Sequence, residues 1–263
     1  MVRLPPLSAE QIAFFHRQGY LILRQAASAE RVAHLRSIAE QHLQDGTPPV
    51  EYEADVHYPG SPSTREAEGG LTIRRLLQAW HRDPALQEWA THPALTQCIS
   101  ALLAKPSISL VLNHHNCVMT KHPRYSSATL WHQDIRYWSF QRADLVTAWL
   151  ALGEETARNG CMRLIPGSHR EDWDGQRFDE HMFFRPDRED NRSLMHQALR
   201  AELQPGDVLL FHSRLLHAAG RNHTDQRKLA VVFTYRASDN LPLPNTRSAQ
   251  DADIPLDING VTP

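Results

Sequence analysis

At 263 residues the chain is long enough to bury one substantial core, and a single mainly β domain lies within the usual range. A net charge of −2 and a pI near 6.8 give no electrostatic footing on nucleic acid or an anionic membrane, and no apolar run reaches the length of a membrane span. The three cysteines, Cys98, Cys117 and Cys161, form no CxxC and leave one over, so buried thiols in a reducing cytoplasm are expected rather than disulfides or zinc.

The opening Met1-Val2-Arg3-Leu4-Pro5-Pro6 lacks the apolar core of a signal peptide. Ser8 to Gln18 reads as a helix, with a Ser8/Gln11 capping box and Gly19 to end it. A short strand follows at Tyr20 to Leu23. Ser28 opens a second helix, in which Val32, Leu35 and Ile38 recur at helical spacing. Asp45 to Gly70 is rich in proline and glycine and is expected to be a long loop, a lid or a disordered segment. Asp83 to Trp89 and Pro93 to Leu103 are two further helices.

From Ser107 the pattern changes to period two. Strands are expected at Ile108 to Thr120, around Thr129 to Asp134, at Leu145 to Leu152, Gly160 to Ile165, Val208 to His217 and Lys228 to Tyr235. Trp173 to Arg192 is an aromatic and charged insertion. Helices gathered at the N-terminus and strands after them point to a β-barrel or jelly roll with a helical flank. The expected division of a single domain 1–263 is a helical flank at 8–103, a β core at 107–237 and an irregular tail at 238–263.

Four His-x-Asp/Glu triplets occur, where chance gives about two. Asp83 precedes Pro84 as a helix cap, His169 follows the Pro166-Gly167-Ser168 turn, and His223 lies in a polar turn. Only His132-Gln133-Asp134 sits inside a strand-like run, where side chains two apart share a side. Two histidines and a carboxylate on one face of an octahedron form the non-haem Fe(II) arrangement, so one more histidine is required. Candidates are His114, His115, His169, His212 and His217. His114 and His115 are consecutive, so one at most is expected to face inward. If His217 ends a strand whose hairpin partner starts at Arg227, that guanidinium lies near the metal and suits a dicarboxylic co-substrate.

Trp131-His132-Gln133-Asp134, Asp144-Leu145-Val146-Thr147-Ala148-Trp149, Asn159-Gly160-Cys161-Met162, Ile165-Pro166-Gly167-Ser168-His169, Gln204-Pro205-Gly206-Asp207, His217 and Asn222 resemble, in that order, the phytanoyl-CoA dioxygenase family. The resemblance runs from about Leu7 to Ala237. It implies a double-stranded β-helix of the jelly-roll, cupin-like kind, with the N-terminal helices packed on its major sheet, and use of Fe(II), 2-oxoglutarate and O2. Carried over, His132, Asp134 and His217 are the iron ligands, Arg227 the 2-oxoglutarate anchor, and Trp149 a neighbour of the co-substrate. Asn159-Gly160 and Asn222 shape turns beside the site.

The family's anchor stands eleven residues after the distal histidine, which here is Lys228; Arg227 stands ten after. The planar fork of arginine and the apolar row Leu229, Val231, Phe233 on its side favour Arg227 facing inward. Ala219 stands where many members carry a serine that helps hold the same carboxylate. The expected activity is hydroxylation of a C–H bond in a small-molecule metabolite, with release of succinate and CO2, by a monomer or homodimer. The rival readings are a barrel that lost its chemistry and a cupin-like oxygenase that does not use 2-oxoglutarate. Lys121, Arg124 and Arg136 are candidates for meeting an anionic group, and Phe178, His181, Phe183 and Phe184 for roofing the pocket. Nothing in the sequence identifies a coenzyme A site.

Overall fold

The computed structural model describes residues 5–257. The reading of Met1–Leu4 and the last part of the tail, 258–263, lie outside the described residues.

The N-terminal elements form as the local sequence dictates. The first helix, α1 (Ala9–Gln18), opens with the reciprocal Ser8/Gln11 capping box and closes on Gly19 at φ 81°. A side chain at Gly19 would also collide with His169, its Cβ falling 2.4 Å from Nδ1. Strand β1 (Tyr20–Leu23) follows, then α2 (Ala29–Gln44), capped by Ser28. Strands β2 (Val50–Tyr52) and β3 (Ile73–Leu77) pair across the long loop. Next come α3 (Pro84–Ala90), capped by Asp83, and α4 (Pro93–Leu103).

The remaining elements are β4 (Ser107–Lys121), β5 (Thr129–His132), β6 (Leu145–Ala151), β7 (Met162–Leu164), α5 (Glu189–Met195), β8 (Leu199–Ala201), β9 (Val208–His212), β10 (His217–Ala219), β11 (Lys228–Ala237) and β12 (Ile254–Asp257). They make two antiparallel sheets. The larger runs β1-β9-β6-β11-β4-β3-β2, with β12 also on β4, and the smaller runs β5-β10-β7-β8. Together they form the double-stranded β-helix.

The larger sheet is buried on both faces. Outward, Leu229, Val231 and Phe233 pack with Phe15, Leu35 and Leu95 under the helices; inward, Ala230 and Val232 pack with Trp149 and Phe211 toward the smaller sheet. Every residue of β6 and β11 is therefore buried. Alternation of apolar and polar residues cannot say which face of such a strand points to the centre.

Four expectations need correction for this reason or related ones. Val208 to His217 is not one strand: β9 lies in the larger sheet and β10 in the smaller. A turn joins them, in which Ser213 Oγ donates to Ala143 O (2.6 Å) and Leu216 N donates to Ser168 Oγ (2.9 Å). Consequently β10 and β11 do not form a hairpin. The expected loop at 45–70 begins with an edge strand, β2. The tail expected to be irregular carries β12, which pairs with β4 from Leu110 to Ser107. Arg236, buried in β11, holds it through Asp253 at 2.6 Å, a long-range pairing that local sequence does not reveal. By contrast, β4 runs from Ser107 to Lys121 and so contains the expected strand Ile108 to Thr120, although its pairing with β11 shifts register. Phe233 pairs with Asn116 but Thr234 with Val111, so residues 112–115 bulge out of the ladder.

Candidate active site

Strand β5 ends at His132, and Asp134 already belongs to a 3-10 turn, Asp134–Tyr137. Gln133 between them keeps extended angles, φ −118° and ψ 127°, so both side chains still point to one side. His217 begins β10 directly opposite His132 in the register, and the two rings stand 4.2 Å apart between centroids. One ligand atom from each of His132, Asp134 and His217 lies within 4.8 Å of the others. Asp134 Oδ1 is 3.5 Å from His132 Nε2 and 3.7 Å from His217 Nε2.

The ring orientations are fixed from behind. His132 Nδ1 donates to Leu130 O (2.8 Å) and His217 Nδ1 to Leu215 O (3.0 Å). A carbonyl only accepts, so each Nδ1 carries the proton and each Nε2 turns a free lone pair toward Asp134. Burial raises the Asp134 carboxyl, and positive charge placed among His115, His217 and His132 draws it well below the usual carboxylate range. Burial pushes His217 down to about 4, keeping it neutral at physiological pH. Asp134 Oδ2 has no hydrogen-bond partner among the described residues and faces His115 Nδ1 at 3.6 Å. An ionised, buried carboxylate between two imidazole lone pairs is a donor set that suits a divalent metal, and this 2-His-1-carboxylate set suits non-haem iron.

Behind the three side chains, inside the barrel, is a chamber of about 50 Å3 lined by Trp149, Lys121, Lys228, Thr120, Ala219 and Arg74, among others. Lys228 is buried, donates to Glu155 Oε2 at 2.9 Å, and lies 5.0 Å from the centre of the Trp149 ring. Trp149 Nε1 donates to Glu155 Oε1 (2.7 Å). Lys121 sits opposite Lys228 in the β4–β11 register and donates to Ser127 O (2.7 Å). Burial, then Arg74 and Lys228, push the Lys121 ammonium well below the usual lysine range.

The inward position of Arg227 is overturned. Lys228 lines the chamber, whereas Arg227 precedes β11 and lines a surface depression with Arg36, Gly153 and Glu154. The apolar row that seemed to mark the inward side, Leu229, Val231, Phe233, is the face under the helices. Trp149 stands in the chamber wall. Of the three cations singled out, Lys121 is inside, Arg124 is exposed, and Arg136 stacks on Phe178 at 3.5 Å. Phe178 and Phe184 pack with Trp131 in a separate small core, and His181 is exposed. Phe183 instead reaches the centre, edge-on to His132 at 6.3 Å and to Tyr58 at 5.4 Å.

The turn-shaping residues stand where the chain folds back. Asn159 Oδ1 accepts from Thr156 N, and Asn222 Nδ2 donates to Lys121 O and Gln226 O. Gly160, at φ 79°, has Gly220 O only 2.5 Å from where a Cβ would be. Sequence reasoning missed Glu155, Arg74 and Arg75, and offered His115 only as a candidate third ligand, where it instead faces Asp134 Oδ2. The count of eleven residues from His217 was the signal that pointed to Lys228. Glu155 and the arginines reach the site only through tertiary packing.

The family model described as phytanoyl-CoA dioxygenase (PhyH) matches residues 15–230. The chain belongs to this family. It is 27% identical to a probable phytanoyl-CoA dioxygenase of Caenorhabditis elegans over 89% of its length and 77% of the relative's. It is 28% identical to an ectoine dioxygenase of Sphingopyxis alaskensis over 89% and 78%. Among solved structures, the epimerase SnoN in complex with Fe3+, alpha ketoglutarate and nogalamycin RO superposes with a TM-score of 0.73 at 21% identity, covering 92% of this chain and 89% of that one, and so shares the fold. Family membership and the His-Asp-His cluster make this chain a 2-oxoglutarate-dependent non-haem iron dioxygenase. No helix among the described residues is long and apolar enough to cross a membrane.

Proposed function

We propose that this dioxygenase hydroxylates a C–H bond of a small-molecule metabolite, releasing succinate and CO2. In this reading His132, Asp134 and His217 hold the iron, and Lys228 with Lys121 receives the far carboxylate of 2-oxoglutarate in the inner chamber. When bound, iron and 2-oxoglutarate together activate O2 for insertion of one oxygen atom into the substrate. The protein's part is placement: neutral Nε2 donors aimed inward, a carboxylate held ionised, and a small chamber behind them.

The observation that carries the reading is the pair of buried lysines facing each other across β4 and β11, with Glu155 against Lys228. Like charges directly opposite on neighbouring strands repel. A carboxylate entering between them relieves that repulsion and satisfies N–H donors that Glu155 and Ser127 leave over. Three free, buried thiols fit a reducing compartment, and we place the protein in the cytoplasm on that basis. Relatives are named for phytanoyl-CoA and for ectoine, so the family does not fix the substrate.

The test is CO2 release from labelled 2-oxoglutarate by the iron-loaded protein, with and without a metabolite extract, followed by a mass search for products heavier by one oxygen. Substrate-stimulated release with such a product is expected. Release without any oxygenated product, even at saturating extract, would end the hydroxylase reading.

A further inference from the structure

The bulge in β4 opens a second cavity on the other side of the metal ligands. One edge of β4 is covered by two strands that do not meet. β3 pairs with Cys117 to Met119, and β12 pairs with Ser107 to Leu110. Between them residues 112–115 leave the ladder, which is why consecutive His114 and His115 both line the same space. Asn116 closes the loop, donating from Nδ2 to Leu112 O (3.2 Å) and accepting from Trp80 N (2.8 Å). The tail is stitched to the bulge: Asn113 Nδ2 donates to Asp251 O (2.8 Å), and His114 Nε2 meets Ser248 Oγ at 2.7 Å.

The resulting cavity, about 360 Å3, reaches His132 and Asp134 and is far larger than the inner chamber. Its wall is mostly polar or aromatic, with Gln78, Asn113, Asn116, His115, Tyr137 and Trp138 facing it. Its aliphatic wall residues, Pro49, Leu77 and Leu112, are too few to bury a long acyl chain. Its lining includes Arg75 on β3, which also borders the inner chamber, and Arg247 in the turn before β12. Among the described residues neither guanidinium donates a hydrogen bond. Arg75 has only Glu51, 3.3 Å from Nε, and shares that carboxylate with Arg74. The acids on the wall are Asp134, which belongs to the metal ligands, and Asp251.

We propose that this cavity receives the substrate, and that the substrate is a small hydrophilic molecule with a carboxylate or phosphonate group gripped between Arg75 and Arg247. Two planar guanidinium forks lining one cavity suit the oxygens of such a group, in a space that also reaches the metal ligands His132 and Asp134. The inference rests on the oxygenase reading above. It makes the C-terminal segment, through Arg247, a determinant of specificity.

The test uses the full iron-loaded chain and a panel of amino acids, hydroxy acids and alkyl phosphonates, each beside its neutral amide or ester, with palmitoyl-CoA as the long-acyl arm. Succinate formation in air and thermal shift without oxygen are both read. An anionic member should stimulate and stabilise where its neutral counterpart does not. Arg247→Gln should raise its half-saturating concentration roughly tenfold or more, with Arg247→Lys recovering part. Arg200→Gln, on a remote surface, should leave it unchanged. Equal stimulation by neutral partners or by palmitoyl-CoA, no response to any anion, or an unaltered half-saturation in Arg247→Gln overturns the proposal while succinate formation keeps the oxygenase reading. A parent that forms no succinate under any condition overturns both.

Discussion

Lys228 Nζ donates to Glu155 Oε2 at 2.9 Å, and both side chains are almost wholly withdrawn from water. Removing one partner of such a pair strands the other, at about 3–5 kcal/mol. Lys228→Met alone is therefore expected to destabilise the protein for reasons unrelated to the co-substrate. The double variant Lys228→Met/Glu155→Gln removes the stranded charge and should fold. Its Michaelis constant for 2-oxoglutarate should rise about ten- to a hundredfold, the worth of a charge-assisted contact. Arg227→Ala should change it less than about twofold, because that side chain lies on the surface. Steady-state kinetics with both variants decide it, and the reverse ranking would return the anchor to Arg227.

Asp134→Ala and His217→Ala should each lose bound iron and turnover while keeping the parent's circular dichroism spectrum. His81→Ala and His223→Ala should keep both, since these two side chains are exposed and lie away from the cluster. Iron content by absorption spectrometry after gel filtration is the measurement. Parental iron in Asp134→Ala would remove that carboxylate from the ligand set.

Burial pushes His169 and His217 down to about 4 and His114 to about 3, against an ordinary value of 6.5. Their folded pKa values lie below the unfolded ones, so the unfolded chain binds more protons between pH 6.5 and the folded values. Stability is thus present above pH 6.5 and lost as pH falls toward 4. The melting temperature of the metal-free protein should be flat above pH 7 and drop across that window. His169→Asn, remote from the metal ligands, should shallow the drop; an unchanged slope would mean that His169 is not buried neutral.

The loop between β2 and β3 leans on the centre through Tyr58, which meets Phe183 edge-on, as Phe183 meets His132. Limited proteolysis should cut within residues 59–70 in the metal-free protein. Iron, 2-oxoglutarate and a stimulating substrate together should protect it, and Phe183→Ala should weaken the protection. Identical cleavage under all conditions would leave it an ordinary surface loop.

The local chemistry of the chain determined a good deal by itself. Ser8 with Gln11, Ser28, and Asp83 before Pro84 set helix starts where they are found, because caps act within one turn. His132 and Asp134 share a side because extended backbone alternates, and this holds even though the strand stops between them. Tertiary structure alone decided the rest. It sent β9 and β10 into different sheets, although Val208 to His217 reads as one strand, and consecutive Leu215 and Leu216 are both buried at the crossing. It chose Lys228 over Arg227 because β11 is covered on both faces, so hydrophobicity carries no direction there. It brought Glu155, Arg75 and Arg247 to the site from stretches with no local mark of function, since contacts between distant segments depend on pairing and packing of the whole barrel.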